Sequence, residues 1–589
     1  MKKISLLVLM LSMIWVSCDR DSITDEQLQE IESRTNIEST DVLISKDKII
    51  LGEKLENPYS VKNMKYAFSQ IEDYEEITGK SLNENQLDLS TFIKATHLYV
   101  RFLPKDKEEL EYLEVDKELI LFNFPLDYEV SEGSEEEYFD TSLPEGSITW
   151  KYTKVPVDYD FTDIKYEIIE ELFLLDEDLD EEEEDIQAKN YPNNYRELYE
   201  QLEDISLRLT NNIVDNNSIE PKFWKRKSKW WVKGKIQYED IVDGENSSTM
   251  RAVEGAKVIV KRWFKWKSGI TDSNGEFNIG SFRGDKVKCA IKWERDDWDI
   301  RTGSYGQAWY NFETVYKRDM NDGKKWNINV KRASTPRNWF YANIHRGAME
   351  YFYNHSKYGI KKPYSKRGYK SAIQIGSVFS IFRFAFGRKL HIGAKYKEGR
   401  SHYYAHNKIV WSSPVAVYSH SKLNGALDSR EVFGTTIHEL AHVSHWDRGY
   451  STTQYVFDWI GTGFDGVFLP ESWATGVENH IVESVYPKSS YISTYNYDYN
   501  QRQTIDDIQN SQGYTGIVTD MIDTDNQRKV KKGDSRYPND EVEGYTLQQL
   551  EDALPNEFGS WKNWMERIKE KYNNPTENKL DYLFNTYKP

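Results

Sequence analysis

The chain has 589 residues and carries 96 acidic against 77 basic side chains, a net charge of -19 with a pI near 5.3. This balance argues against nucleic acid as a partner. Only two cysteines are present, which excludes a disulfide-stapled scaffold, and the length leaves room for three or four domains with packed cores.

Lys2 and Lys3 precede an apolar stretch from Ile4 to Val16 that is short for a bilayer span and ends at Ser17-Cys18. Residues 1–17 therefore read as a signal peptide, with an uncleaved anchor as the alternative. The Ser-Cys pair resembles a bacterial lipobox. That resemblance implies lipidation of Cys18, a membrane tether through the lipid and a place in the cell envelope, most readily the outer membrane. Cys289 is then left without an intramolecular disulfide partner. No later apolar run approaches the ~18 residues of a membrane helix, so the remainder is expected to be soluble and extracytoplasmic. Residues 18–60 are polar and charged, as a tether should be.

From 61 to 172, alternating segments such as Thr96-His-Leu-Tyr-Val-Arg-Phe102 and Glu118-Leu-Ile-Leu-Phe-Asn-Phe124 predict strands interleaved with helices, a small α+β domain. Residues 173–227 form a linker region. It contains the acidic run Asp176–Asp185, whose self-repulsion favours a solvated loop and whose spacing is not that of a calcium loop, followed by a helix from Tyr195 to Leu209. The basic and aromatic patch Lys222-Phe-Trp-Lys-Arg-Lys-Ser-Lys-Trp-Trp231 reads as a domain-edge strand with snorkelling lysines, or as a contact for glycan or an anionic polymer.

Between 228 and 333 the pattern changes to short strands and turns. Gly234-Lys-Ile, Glu254-Gly-Ala-Lys-Val-Ile-Val260 and Gly269-Ile-Thr-Asp-Ser-Asn-Gly-Glu-Phe277 resemble the carboxypeptidase-regulatory, transthyretin-like β-sandwich, with Asp272 and Gly275 making the tight turn and Lys325–Val330 as a closing strand. The resemblance implies a spacer or recognition module without chemistry of its own.

Residues 334–589 hold ten of the eleven histidines apart from His97, so the chemistry is expected here. In Gly434-Thr-Thr-Ile-His-Glu-Leu-Ala-His442 two imidazoles lie one helical turn apart with a carboxylate beside the first. On a helix, positions i and i+4 share a face, so His438 and His442 can reach one ion at roughly 2.0–2.1 Å. Glu439 is then placed to act on a zinc-bound water. Thr435 and Thr436 offer N-cap hydroxyls and Gly449 a stop, which predicts a helix of about three turns. A tetrahedral site with one open position needs a third protein ligand. Pro470–Pro487 predicts a second helix opened by its proline, with Glu471, Thr475 and Glu478 on one face and Trp473, Val477, Ile481 and Val485 on an apolar stripe. Glu471 is the expected third ligand.

The run Leu469-Pro-Glu-Ser-Trp-Ala-Thr-Gly-Val-Glu478 resembles the Asn-Glu-Gly-Phe-Ala-x-x-x-Glu segment of aminopeptidase N-like gluzincins. It differs from that pattern at Pro470 and Ser472, and 28 residues separate His442 from Glu471. The resemblance implies a mainly helical, zincin-like catalytic domain, zinc as cofactor with Glu471 as a ligand, and a supporting or helix-anchoring role for Glu478. Tyr514-Thr-Gly-Ile-Val-Thr-Asp-Met-Ile522 resembles the helix that carries the catalytic tyrosine in those families, which implies Tyr514 as oxyanion donor. His445 lies at i+7 from His438, about 7–8 Å along the axis from an ion midway between the first two histidines, so a packing or supporting role is expected. Val415–Tyr418 alternates as a strand that is either an interior strand or a sheet edge able to hold an extended substrate.

These readings converge on an α+β multidomain zinc metallopeptidase tethered by lipid, acting on peptide or protein. The alternative is an inactive surface protein whose aromatic-rich modules bind glycan or protein; the intact Glu439 argues against it.

Overall fold

The computed structural model describes residues 51–70, 93–116, 119–130, 138, 140–144, 147–175, 195–212, 229–242, 248–282, 284–302, 306–363, 374–375, 378–379, 390–395, 415–418, 420–421, 425–446, 465–486, 503–510, 513–555 and 561–588. The expected signal segment, Cys18, most of the expected tether, the acidic run and Lys222–Ser228 lie outside the described residues. The architecture is α+β. Among the described residues no helix is long and apolar enough to cross a membrane.

The N-terminal unit contains strand β1 (Leu51–Lys54), helix α1 (Val61–Ser69), β2 (His97–Phe102), α2 (Lys107–Val115), β3 (Tyr128–Val130), β4 (Lys151–Pro156), β5 (Tyr166–Leu172) and α3 (Tyr195–Leu209). Strands β4, β2 and β5 form an antiparallel sheet in that order, and β1 pairs with β3. Helix α3 matches the span expected from its apolar spacing. Glu118 lies outside the described residues, and Leu119–Phe124 forms no strand: among the described residues it contributes the bridge Phe122 to Tyr152. Leu119 and Leu121 enter one core while Phe122 and Phe124 enter another, so the alternation serves two cores instead of two faces of a sheet.

Next come β6 (Trp230–Asp240), β7 (Thr249–Ala252), β8 (Lys257–Arg262), β9 (Lys265–Ile270), β10 (Glu276–Phe282), β11 (Lys286–Lys292), β12 (Trp298–Thr302), β13 (Gly306–Gln307), β14 (Trp309–Tyr316), helix α4 (Lys317–Asn321) and β15 (Trp326–Val330). One sheet has the order β10-β6-β15 with β7 also on β6; the other runs β14-β11-β8-β9. Strand β6 buries alternate residues, and its Val232, Ile236 and Tyr238 share a core with Val258, Val260, Cys289 and Ile291 of the opposite sheet. Two sheets packed face to face make a β-sandwich. The expected turn forms between β9 and β10: Asp272 Oδ1 accepts from the amides of Asn274 and Glu276 at 2.9 and 2.8 Å, and Gly275 adopts φ +75°, the left-handed region that glycine enters without strain. The second sheet is covered on its outer face as well. Ile259, Ala290 and Phe312 pack with Phe122, Tyr99 and Leu202 of the N-terminal unit, which explains why consecutive residues are buried at Val258–Lys261 of β8 and Cys289–Lys292 of β11. Buried Glu203 fastens this contact through Tyr59, Arg262 and Lys265. Burial opposes its ionised form, but Lys265 and Arg262 outweigh that and hold its carboxyl down to about 2.

The C-terminal part carries α5 (Pro336–Asn354), the short β16 (Gln374–Ile375) and β17 (Val378–Phe379), β18 (Leu390–Lys395), β19 (Val415–Tyr418), β20 (His420–Ser421), β21 (Gly425–Ala426), α6 (Ser429–Trp446), α7 (Asp465–Val485), α8 (Ile505–Asn510), α9 (Ile517–Ile522), α10 (Gln527–Val530), α11 (Leu547–Ala553), α12 (Trp561–Lys571) and α13 (Leu580–Thr586). Helix α6 packs against both α5 and α7. A sheet of order β13-β12-β18-β19 crosses from the sandwich region to this part through parallel pairings, and one hydrophobic core runs from Trp230 to Tyr587. Arg346 of α5 ties the two regions further, donating to the hydroxyls of Tyr238 and Tyr486 at 2.7 and 2.5 Å and to Asp240 at 3.3 Å.

Candidate metal centre

The site is built on two crossing helices. Helix α6 begins at Ser429, earlier than the Thr435 start expected from sequence. Asp428 and Glu431 cap it reciprocally, each side chain accepting the other's backbone amide at 2.8 Å, a pairing legible in Asp428-Ser-Arg-Glu431. Ser429 also exchanges backbone hydrogen bonds with the end of β6, its amide donating to Ile241 O at 2.8 Å and its hydroxyl accepting from Ile241 N at 2.9 Å. The hydroxyl of Thr436 donates back to Val432 O at 2.8 Å and so caps nothing. The far end, at Gly449, lies outside the described residues.

Helix α7 likewise starts five residues before Pro470 and contains it. Pro470 forgoes the bond its amide would make to Gly466 and crowds that carbonyl, a cost confined to the first two turns of the helix. The close crossing with α6 depends on Gly434. A Cβ there would meet Glu478 Oε1 at 2.7 Å.

Three ligand atoms converge where the helices cross. His438 Nε2 lies 3.1 Å from Glu471 Oε2, His442 Nε2 lies 3.3 Å from the same oxygen, and the two Nε2 atoms are 3.2 Å apart. All three residues are buried, and as a group they could hold a metal ion. The spacing tests the fit. A tetrahedral ion with bonds of about 2.0–2.1 Å separates its ligands by about 3.3 Å, close to the observed edges. Two imidazole nitrogens and a carboxylate oxygen so close, away from water, repel one another unless a proton or a cation lies between them.

The electrostatics agree with this. Burial alone would depress the imidazolium of His438, but hydrogen bonding and charge from Glu471 and Glu478 overcome it and carry its pKa up to about 10. Burial would raise the Glu471 carboxyl, yet the charge of His442 and hydrogen bonds to both histidines hold it far below the usual range. Glu478 stands behind the first histidine, its Oε2 3.2 Å from His438 Nδ1. Glu439, next along α6, is only partly buried. Its low-dielectric surroundings raise its carboxyl above the ordinary range, against the pull of His442 and His438. Among the described residues it enters no ion pair, so its lone pairs stay open.

His445 is buried but outside the converging group, as its axial distance predicts. Tyr514 is near the site without being helical: α9 starts at Ile517 with Gly516 as its cap. The reason is Gly513, whose φ of +103° turns the chain and whose carbonyl accepts from Ser472 Oγ of α7 at 2.7 Å. This turn lays the Tyr514 ring over His438, centroids 5.8 Å apart and planes 22° apart. Among the described residues, β19 pairs only with β18 and stands at the edge of its sheet, packed on α6.

Sequence patterns did not mark Gly434 or Gly513, because their roles depend on a crossing that no local pattern encodes. His345 proves structural: it is buried, Nε2 lies 2.7 Å from Glu254 O, and its ring meets Trp293 and Trp298 edge-on.

No family model and no curated protein matches the chain.

Proposed function

We propose that this chain is a zinc metallopeptidase of gluzincin type, with a zincin-like C-terminal domain, a transthyretin-like sandwich and a lipid tether at Cys18 that holds it in the cell envelope. The observation that carries the reading is the convergence of His438, His442 and Glu471 beside a Glu439 carboxylate that enters no ion pair among the described residues. Zinc suits two imidazoles and one carboxylate and, when bound, supplies a Lewis acid for the scissile carbonyl and a water of pKa near about 7.

The protein's own residues do the rest. Glu439 accepts the proton of the attacking water on its open carboxylate and delivers it to the leaving amine. Glu478, its Oε2 3.2 Å from His438 Nδ1, sets a negative charge behind the ring and raises the basicity of the histidine ligand. Tyr514, stacked on the same ring, donates its hydroxyl to the developing oxyanion. Strand β19 offers an edge along which an extended peptide backbone can pair.

The test is a diverse peptide mixture incubated with zinc-loaded protein and read by mass spectrometry before and after chelation. Cuts that vanish with the chelator and return with zinc support the reading. Cuts that persist after zinc is stripped to background would sink it.

A further inference from the structure

We infer that the cavity between the N-terminal unit and the sandwich binds an amphipathic carboxylate, held by the ammonium group of Lys261. The cavity has a volume of about 370 Å³, at the small end of the range for small-molecule sites. Its walls are largely apolar. Phe124, Leu126 and Val130 line it from the N-terminal unit, and Trp263 and Phe312 from the sandwich.

Lys261 also lines this cavity and does not fit an ordinary packing role. It follows Ile259 on the face of β8 turned toward the N-terminal unit and is only 6% exposed. Its Nζ lies 5.0 Å from the ring centres of Phe122 and Phe312 and 5.5 Å from that of Phe124. Aromatic faces attract a cation but leave its three N–H donors without lone-pair acceptors. Among the described residues, no carboxylate, carbonyl or hydroxyl accepts from Lys261, whereas Lys257 and Lys265 on neighbouring positions are paired with Glu294 and Glu203. Directly across the ladder stands Lys288, of the same charge. Burial, reinforced by Lys288, brings the Lys261 pKa down to about 7.

Among the described residues, this buried ammonium beside a like charge has no anion that can also accept its hydrogen bonds. A carboxylate supplies both, and the aromatic and aliphatic walls suit an alkyl or aryl body. Arg262, Lys286 and Lys288 also line the cavity; Arg262 is engaged with Glu203, and the buried Lys261 ammonium, set among aromatic rings, is the group assigned to the ligand's carboxylate. This site is separate from the metal centre and does not depend on catalysis.

Decanoate and its uncharged counterpart decanol serve as probes, titrated calorimetrically into the full chain and into Lys261→Met. Methionine is unbranched and one atom shorter than lysine and removes the charge, so the variant is expected to melt no lower than wild type. The expected result is one decanoate per wild-type chain, at least tenfold weaker binding of decanol, and at least tenfold weaker decanoate binding by the variant. The comparison of decanoate with decanol needs no variant and holds even if the substitution disturbs folding. Folded wild type that takes up no decanoate at millimolar concentration, or that binds decanol equally well, overturns the proposal, as does a folded variant that binds decanoate like wild type.

Discussion

Oε2 of Glu478 lies 3.2 Å from Nδ1 of His438, while Nε2 on the other side of the same ring faces Glu471 and His442. One imidazole thus has a carboxylate charge close behind it, from the next helix, without an aligned hydrogen bond. A negative charge at this distance increases the basicity of the ring. Glu478→Gln should weaken metal binding by about 10- to 100-fold with little change in helix content, measured by competition with a chromophoric chelator. Gly434→Ala should act in the same direction, since its Cβ would fall 2.7 Å from Glu478 Oε1 and displace that carboxylate. Unchanged affinity in both variants would show that the contact does not support the site.

The candidate ligands were legible in the sequence because their geometry is local. A spacing of four residues places His438 and His442 on one helix face whatever surrounds it, and Glu471 emerged from the face opposite the apolar stripe of its own helix. Helix limits were less legible. Pro470 looked like a start but lies within the helix, and Thr435 looked like a cap although Asp428 performs that role. What stayed hidden depends on contacts far apart in sequence: the parallel pairing of Trp298–Thr302 with Leu390–Lys395, the Arg346 junction, and Lys261, whose side chain in the run Lys257-Val-Ile-Val-Lys261 gives no sign that an apolar cavity encloses it.

Tyr514 stacks on His438 with ring centres 5.8 Å apart, and the proposed mechanism makes its hydroxyl the oxyanion donor. Removal of one oxyanion donor costs about 10²- to 10³-fold in turnover, so Tyr514→Phe should lower kcat by about 100-fold with metal content and KM little changed. Steady-state kinetics beside metal analysis separates this from packing alone, for which kcat would be retained.

His345 predicts an acid limit to stability. Burial, helped by the charge of Arg295, depresses its pKa to about 4 against the opposing effect of its contact with Glu254 O, and Nδ1 has no acceptor among the described residues. The unfolded value is about 6.5, so between the two values the unfolded chain binds more protons than the folded one. Stability from this residue is complete above pH 6.5 and declines as pH falls toward 4, by up to about 3 kcal/mol. Urea unfolding at pH 7 and at pH 4.5 should show a larger loss for wild type than for His345→Gln. Equal losses would assign the acid sensitivity elsewhere.

The central claim rests on Glu439 as the proton-transferring carboxylate beside a metal. The most direct measurement compares wild type with Glu439→Gln, reading bound zinc and peptide hydrolysis on the same samples. The account predicts one zinc per chain in both proteins and hydrolysis in wild type alone. A variant that holds zinc and cleaves as fast as wild type would contradict it.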